Sequence, residues 1–153
     1  MILNFEPLKK FSGILVHPSS LPGGSYCGTF GNSVRDWIEI LSIYKINIWQ
    51  FLPLSPTDAM GSPYSSPSSF ALNPWFLDVD ELIQSNYIRE SNHAKKIKLD
   101  SKNLNFFQFE VADELLRIIG NLLIESWDLQ SFDRKNQFHL WSKNNSWVND
   151  FSV

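Results

Sequence analysis

Residues 46–54 read INIWQFLPL, and the distribution of apolar side chains along this run decides the fold. Successive side chains of an extended chain point to opposite faces. Ile46, Ile48, Leu52 and Leu54 therefore share one face, and Trp49 and Phe51 lie on the other. A strand that is apolar on both faces belongs in a parallel sheet covered by helices, because only there are both faces buried. The residues upstream fit that sheet. A helix is expected between about 33 and 44: Ser33 and Asp36 have capping-box spacing, and Val34, Trp37, Ile38, Leu41 and Tyr44 fall on one face. Asn47 lies just past its end. Earlier still, residues 12–17 (SGILVH) form a short branched apolar run that Pro18 ends, which reads as a first buried strand. The order strand, loop, helix, strand makes a βαβ unit with a right-handed crossover, and the class is α/β.

Binding loops of parallel sheets gather at the carboxyl ends of the strands. Two unusual loops leave from that end here, so they should sit side by side. Residues 18–31 (PSSLPGGSYCGTFG) hold two prolines and four glycines. Residues 53–74 (PLSPTDAMGSPYSSPSSFALNP) hold five of the eight prolines and six serines. Composition alone leaves open whether this second segment is a linker or an ordered loop.

The 153 residues are 43% hydrophobic and 14% aromatic, enough for one core and too rich in aromatics for a disordered chain. A net charge of -3 and a pI near 5.5 provide no basic surface for phosphates, so nucleic acid is not an expected partner. Cys27 is the only cysteine, which excludes an internal disulfide and a cysteine-based metal site. No apolar run approaches the ~18 residues that span a membrane. The opening MILNFEPLKK does not resemble a signal peptide, and the chain reads as soluble and cytoplasmic.

Beyond the second loop, residues 74–80 (PWFLDVD) read as a short strand, with a helical turn opening near Asp80. Residues 84–105 are polar and read as a surface excursion. Helical periodicity returns over about 106–125, with Val111, Leu115, Ile118, Ile119 and Leu122 on one face, then over about 133–141. A last helix starts near Asn145 or Ser146 and carries Trp147, Val148 and Phe151.

Few patterns support chemistry. The glycines at 23, 24, 28 and 31 do not form GxGxxG, and His17, His93 and His139 lack metal-ligand spacing, so neither cofactor nor metal is expected. His17, at a strand end before a proline, reads as a hydrogen-bonded structural residue. Ser62 lacks the elbow of a serine nucleophile, and Pro63 after it removes a backbone donor. Asp78 and Asp80 read as caps of the next helical turn rather than a glycoside-processing pair, which needs carboxylates on opposite sides of the scissile bond. The loops offer Ser19, Ser20 and Tyr26 on one side and Ser62, Tyr64, Ser65 and Ser66 on the other. Aromatic faces and hydroxyls suit a sugar, and the same residues also suit ordinary turns. Spacing alone leaves both readings open.

Four motifs carry a family resemblance: residues 13–23 (GILVHPSSLPG), 49–57 (WQFLPLSPT), 61–66 (GSPYSS) and 69–74 (SFALNP). In order and spacing they resemble the 4-alpha-glucanotransferases, the amylomaltase or disproportionating-enzyme family. The likeness is strong over residues 11–83, weak over 84–135, and returns at Phe138 and at residues 147–151 (WVNDF). The resemblance implies a (β/α)8 TIM-type barrel with insertions that transfers α-1,4-glucan segments between maltooligosaccharides by retaining double displacement. It implies that Ser62 and Tyr64 contact the sugar and that residues 53–74 form an ordered loop. Asp58, Ala59, Met60 and Gly61 depart from the aromatic and small polar residues that many members carry there, which leaves an accessory glucan contact from that stretch unsupported.

A barrel of this type needs at least ~200 residues. The whole chain, 1–153, is therefore expected to be an amino-terminal fragment with an incomplete barrel, barrel-like over 11–83 and a helical insertion over about 84–153. The family's catalytic carboxylates lie later in the barrel, so no residue here is given a catalytic role. Expected partners are α-1,4-glucans and maltooligosaccharides, with a complementary carboxyl-terminal fragment as a further candidate. The alternative is a non-catalytic carbohydrate-binding or regulatory module.

Overall fold

The computed structural model describes residues 10–24, 27–58, 60–91 and 109–151, the last segment from residue 111 onward for side chains. Strand β1 (Gly13–Leu15) pairs in parallel with β2 (Ile48–Gln50), in the register Gly13 to Ile48, Ile14 to Trp49 and Leu15 to Gln50. Helix α1 (Asn32–Ile43) connects them. The Val16 N–H donates to the Gln50 carbonyl at 3.1 Å, and the Trp49 indole N–H donates to the Val16 carbonyl at 2.8 Å, so both strand ends are clamped together. Trp37 of α1 meets Trp49 edge to face at 6.4 Å between centroids, which seats the helix on the sheet. Val34 and Leu41 are buried beneath it, while Ile38 and Tyr44, expected on the same face, are exposed.

Several expectations are corrected. Both strands are shorter than the apolar runs around them, 13–15 rather than 12–17 and 48–50 rather than 46–54. Prolines 18 and 53 lack a ladder N–H, so pairing stops before each of them. Nor are the two strand segments buried as expected: Leu15 of β1, Ile48 of β2 and Phe51 just past β2 are 56%, 49% and 41% exposed. Among the described residues the sheet has two strands, and these side chains remain substantially exposed. The capping box does not form. Helix α1 starts one residue before Ser33, with Gly31 as N-cap, and Ser33 is buried inside its first turn.

Residues 74–80 are not a strand. Asn73 Oδ1 accepts the Trp75 N–H at 3.0 Å and opens a 3-10 turn, Pro74–Phe76, for which Pro74 supplies a preset φ. Asp78 then caps α2 (Val79–Gln84), its Oδ1 accepting the Glu81 N–H at 2.9 Å. Two side-chain caps within six residues, Asn73 and Asp78, overrule the strand-like apolar content.

Three more helices follow: α3 (Phe109–Trp127), α4 (Phe132–Asn144) and α5 (Trp147–Phe151). The apolar stripe of α3 behaves as its periodicity requires. Leu115, Ile119 and Leu122 are buried together with Ala112, against Val79 and Ile88. Cys27, Trp75 and Leu82 pack around this cluster, so the main core lies between α2 and α3, beside the first loop. Ser131 caps α4, which buries no side chain. Lys95, Lys96, Lys98, Lys102 and His93 of the polar excursion lie outside the described residues. No helix among the described residues is long and apolar enough to cross a membrane.

Candidate functional site

The first loop begins where β1 ends. His17 precedes a 3-10 turn, Pro18–Ser20, and caps it: its Nδ1 accepts the Ser19 N–H at 3.3 Å. The same nitrogen lies 2.7 Å from Ser19 Oγ, and Nε2 lies 3.5 Å from the Pro53 carbonyl at the start of the second loop. His17 thus ties the two strand ends together. Its pKa is held below the usual imidazole value by burial, which outweighs the opposing effect of the Pro53 carbonyl. The loop returns through Phe30, whose N–H donates to the Phe76 carbonyl at 2.9 Å and whose ring meets Phe76 edge to face at 5.4 Å.

The second loop is ordered by its own polar side chains. Asp58 Oδ1 accepts the N–H groups of Met60 at 3.0 Å and Ser62 at 2.9 Å, and the Asp58 carbonyl accepts the Gly61 N–H at 3.0 Å. Gly61 closes this turn at φ +76°, a left-handed value that glycine tolerates without strain. Ser62 Oγ accepts the Tyr64 N–H at 3.3 Å, and Ser68 Oγ accepts those of Phe70 and Ala71 at 3.3 and 3.1 Å. Asn73 donates its N–H to the Leu54 carbonyl at 2.8 Å and closes the loop's base. Serine density here serves backbone satisfaction, and proline density lowers the entropy lost on ordering.

Between the loops lies a cavity of about 320 Å³. His17, Ser19 and Ser20 line it from the first loop; Leu52, Thr57, Gly61 and Pro63 line it from the second; Asn73, Trp75 and Phe76 form the remaining wall. None of these side chains is a carboxylate, a lysine or an arginine. With His17 neutral near pH 7, the cavity offers hydroxyls, an amide and aromatic surface, a lining suited to an uncharged polar ligand.

The expected neighbourhood of the two loops is therefore present, with Ser19 and Ser20 on its wall. Ser62 sits between the wall residues Gly61 and Pro63, half-buried, with its hydroxyl engaged by Tyr64 N–H. Tyr64 is 77% exposed and, like Ser62, is not among the residues lining the cavity. Ser65 is also exposed, and Ser66 Oγ donates to the Ser68 carbonyl at 2.6 Å. Tyr26 lies outside the described residues. Thr57, Asn73 and Trp75 were not among the sequence candidates, although each stands inside or beside a quoted motif. Asp58 is likewise the turn's organiser, a role that its Asx-turn spacing to Met60 could have signalled. Cys27 stands apart, its thiol pushed up to about 12 by burial, which leaves it a packing residue. No group of three or more metal-ligating side chains occurs among the described residues.

A family model described as 4-alpha-glucanotransferase matches residues 16–153. The chain belongs to the 4-alpha-glucanotransferase family. A 4-alpha-glucanotransferase of Streptococcus pneumoniae is 33% identical over 146 residues, covering 94% of this chain and 28% of that protein. The 4-alpha-glucanotransferase of Thermus thermophilus is 42% identical over 82 residues, covering 54% of this chain and 16% of that protein. Among solved structures, an amylomaltase from Streptococcus agalactiae in complex with acarbose superposes with a TM-score of 0.77 at 29% identity, over 94% of this chain and 28% of that one. The chain thus spans little more than a quarter of the 4-alpha-glucanotransferases that it matches end to end. Its mostly helical content with a parallel strand pair is a partial α/β domain of that family.

Proposed function

We propose that this chain forms the amino-terminal part of a 4-alpha-glucanotransferase barrel and supplies a glucan-binding rim, while transfer itself requires the rest of a family barrel. The observation that carries the reading is the uncharged cavity between the two strand-end loops, lined by Ser19, Ser20, Thr57 and Trp75. Neutral sugars present hydroxyl edges and apolar C–H faces, and this wall offers hydroxyls and aromatic rings to both. The acarbose bound in the Streptococcus agalactiae amylomaltase supports the ligand class. Ser62 and Tyr64, on the same loop next to the lining residues Gly61 and Pro63, would meet a chain extending out of the cavity.

In the complete barrel the reaction is a double displacement. A carboxylate attacks the anomeric carbon, a glycosyl-enzyme forms, and the 4-hydroxyl of an acceptor sugar displaces it. This needs a nucleophile and an acid/base carboxylate about 5–5.5 Å apart. Asp58 and Asp78 do not supply them, since both are committed to loop and helix N–H groups. The exposed apolar side chains of β1 and β2 support a further layer of barrel against the sheet.

The test is maltotriose disproportionation followed by product chromatography. The chain alone should yield no glucose and no longer oligosaccharides. Co-expression with a polypeptide carrying the remaining barrel of a relative should restore both. Transfer by the chain alone overturns the division of labour proposed here. Glucan binding without restored transfer in any such pairing favours the alternative, a carbohydrate-binding module.

A further inference from the structure

The hydrogen bonds around His17 fix which way the Ser19 hydroxyl points. A neutral imidazole has one N–H and one lone pair, on different nitrogens. Nδ1 faces the Ser19 backbone N–H at 3.3 Å, and a backbone N–H can only donate. Nδ1 therefore carries the lone pair, and the ring proton is on Nε2, which faces the Pro53 carbonyl at 3.5 Å, an acceptor. Ser19 Oγ is 2.7 Å from the same Nδ1. Two lone pairs at that separation would repel, so the hydroxyl proton must lie between them, with Ser19 donating. Its donor capacity is used, and its oxygen, exposed on the cavity wall, keeps its acceptor capacity.

We propose that Ser19 is a ligand-positioning acceptor: its Oγ takes a hydrogen bond from a sugar hydroxyl in the cavity, with its polarity set by His17 and, through the ring, by the Pro53 carbonyl. This deepens the glucan reading of the same cavity and rests on it. The arrangement favours a ligand that offers an O–H at this point over one that offers only an acceptor. It also gives His17 a reason to stay neutral. Protonating Nδ1 would reverse the 2.7 Å bond, make Ser19 Oγ the recipient of the ring proton, and turn its own proton towards the ligand. The groups against the ring are the Ser19 hydroxyl, the Pro53 carbonyl and the Phe76 ring at 5.6 Å, none of them charged.

The experiment uses the full chain labelled with 15N, long-range nitrogen–proton correlation of the His17 ring, and titration with maltotriose. At pH 7.5 the expected spectrum has an unprotonated Nδ1 and a protonated Nε2. Maltotriose should move the Nδ1 signal, because a hydroxyl that accepts a bond becomes a stronger donor. Ser19→Ala should weaken maltotriose binding about 3- to 10-fold, the scale of one neutral hydrogen bond. Ser19→Thr, which keeps the hydroxyl, should bind within about 2-fold of the parent on the same scale. A proton found on Nδ1 overturns the inference without any ligand or variant. Loop amides of residues 53–74 that respond to maltotriose while Nδ1 and the Ser19→Ala affinity do not change overturn it and leave the glucan reading standing. No response from any amide overturns both.

Discussion

Thr29 Oγ1 donates to Asp78 Oδ2 at 2.6 Å, while the other oxygen of that carboxylate accepts the Glu81 N–H at 2.9 Å. One side chain therefore caps α2 and ties it to the end of the first loop. The same carboxylate occupies the space that a β-carbon on Gly31, the N-cap of α1, would need. A negative charge beside two helix amino-termini is favourable to both macrodipoles. Arg35 of α1 reaches Glu81 of α2 at 2.8 Å and reinforces the same junction from the solvent side. Asp78→Ala should lower unfolding stability by about 1–2 kcal/mol in urea titration, the range for losing an N-cap. Thr29→Ala combined with it in a double-mutant cycle should show a coupling near 1 kcal/mol. Full additivity would mean that the 2.6 Å bond contributes nothing.

The α2–α3 core should respond as a close-packed interior. Ile119 is 1% exposed and central to the buried cluster, so Ile119→Ala should cost about 2–5 kcal/mol with little change in the urea m-value. Ile124 on the opposite face of α3 is 74% exposed, and Ile124→Ala should stay within about 0.5 kcal/mol. Equal effects at the two positions would contradict the packing described.

Asp58 is expected to control the second loop without touching ligand. Asp58→Ala removes the acceptor of two backbone N–H groups and should speed amide exchange at Met60 and Ser62 about 5- to 10-fold, the scale of a lost ~1 kcal/mol bond. Exchange in α3 should not change. Protection unaltered at Met60 and Ser62 would show that the prolines alone hold the loop.

Stability should depend on pH through His17, with a definite sign. Its folded pKa lies below its unfolded value of 6.5, so the unfolded chain binds the proton first as pH falls. Stability is full above about 6.5, declines as pH drops below it, and levels off once the folded-state imidazole also protonates. In urea titrations at pH 7.5 and 5.5, His17→Asn should remove this component of the decline. A parent protein more stable at 5.5 would reverse the assignment of a buried neutral ring.

The parts of the fold legible in the sequence were those set by local pattern. The parallel pairing of 13–15 with 48–50, helix α1 between them, and the buried stripe through Leu115, Ile119 and Leu122 all follow from periodicity and element order. Residues 74–80 misled because Trp75, Phe76, Leu77 and Val79 look strand-like, while the caps at Asn73 and Asp78 act on backbone groups that periodicity does not weigh. The capping box at Ser33 and Asp36 matched a spacing whose first residue is already helical, since the chain enters α1 through Gly31. The loops were found from their prolines and glycines, and their adjacency from the parallel sheet. Which side chains reach the cavity was not legible: Thr57 gets there beside the turn that Asp58 and Gly61 organise, and Asn73 and Trp75 through the 3-10 turn that Asn73 caps. The His17–Ser19 polarity needed distances to both ring nitrogens.

The most direct test of the account is a crystal structure of the chain soaked with maltotriose. A glucose ring is expected in the cavity between residues 17–20 and 57–63, with a hydroxyl within hydrogen-bond distance of Ser19 Oγ and a sugar face towards Trp75. A well-diffracting crystal saturated with maltotriose whose cavity holds only water, or whose sugar lies elsewhere on the surface, would contradict it.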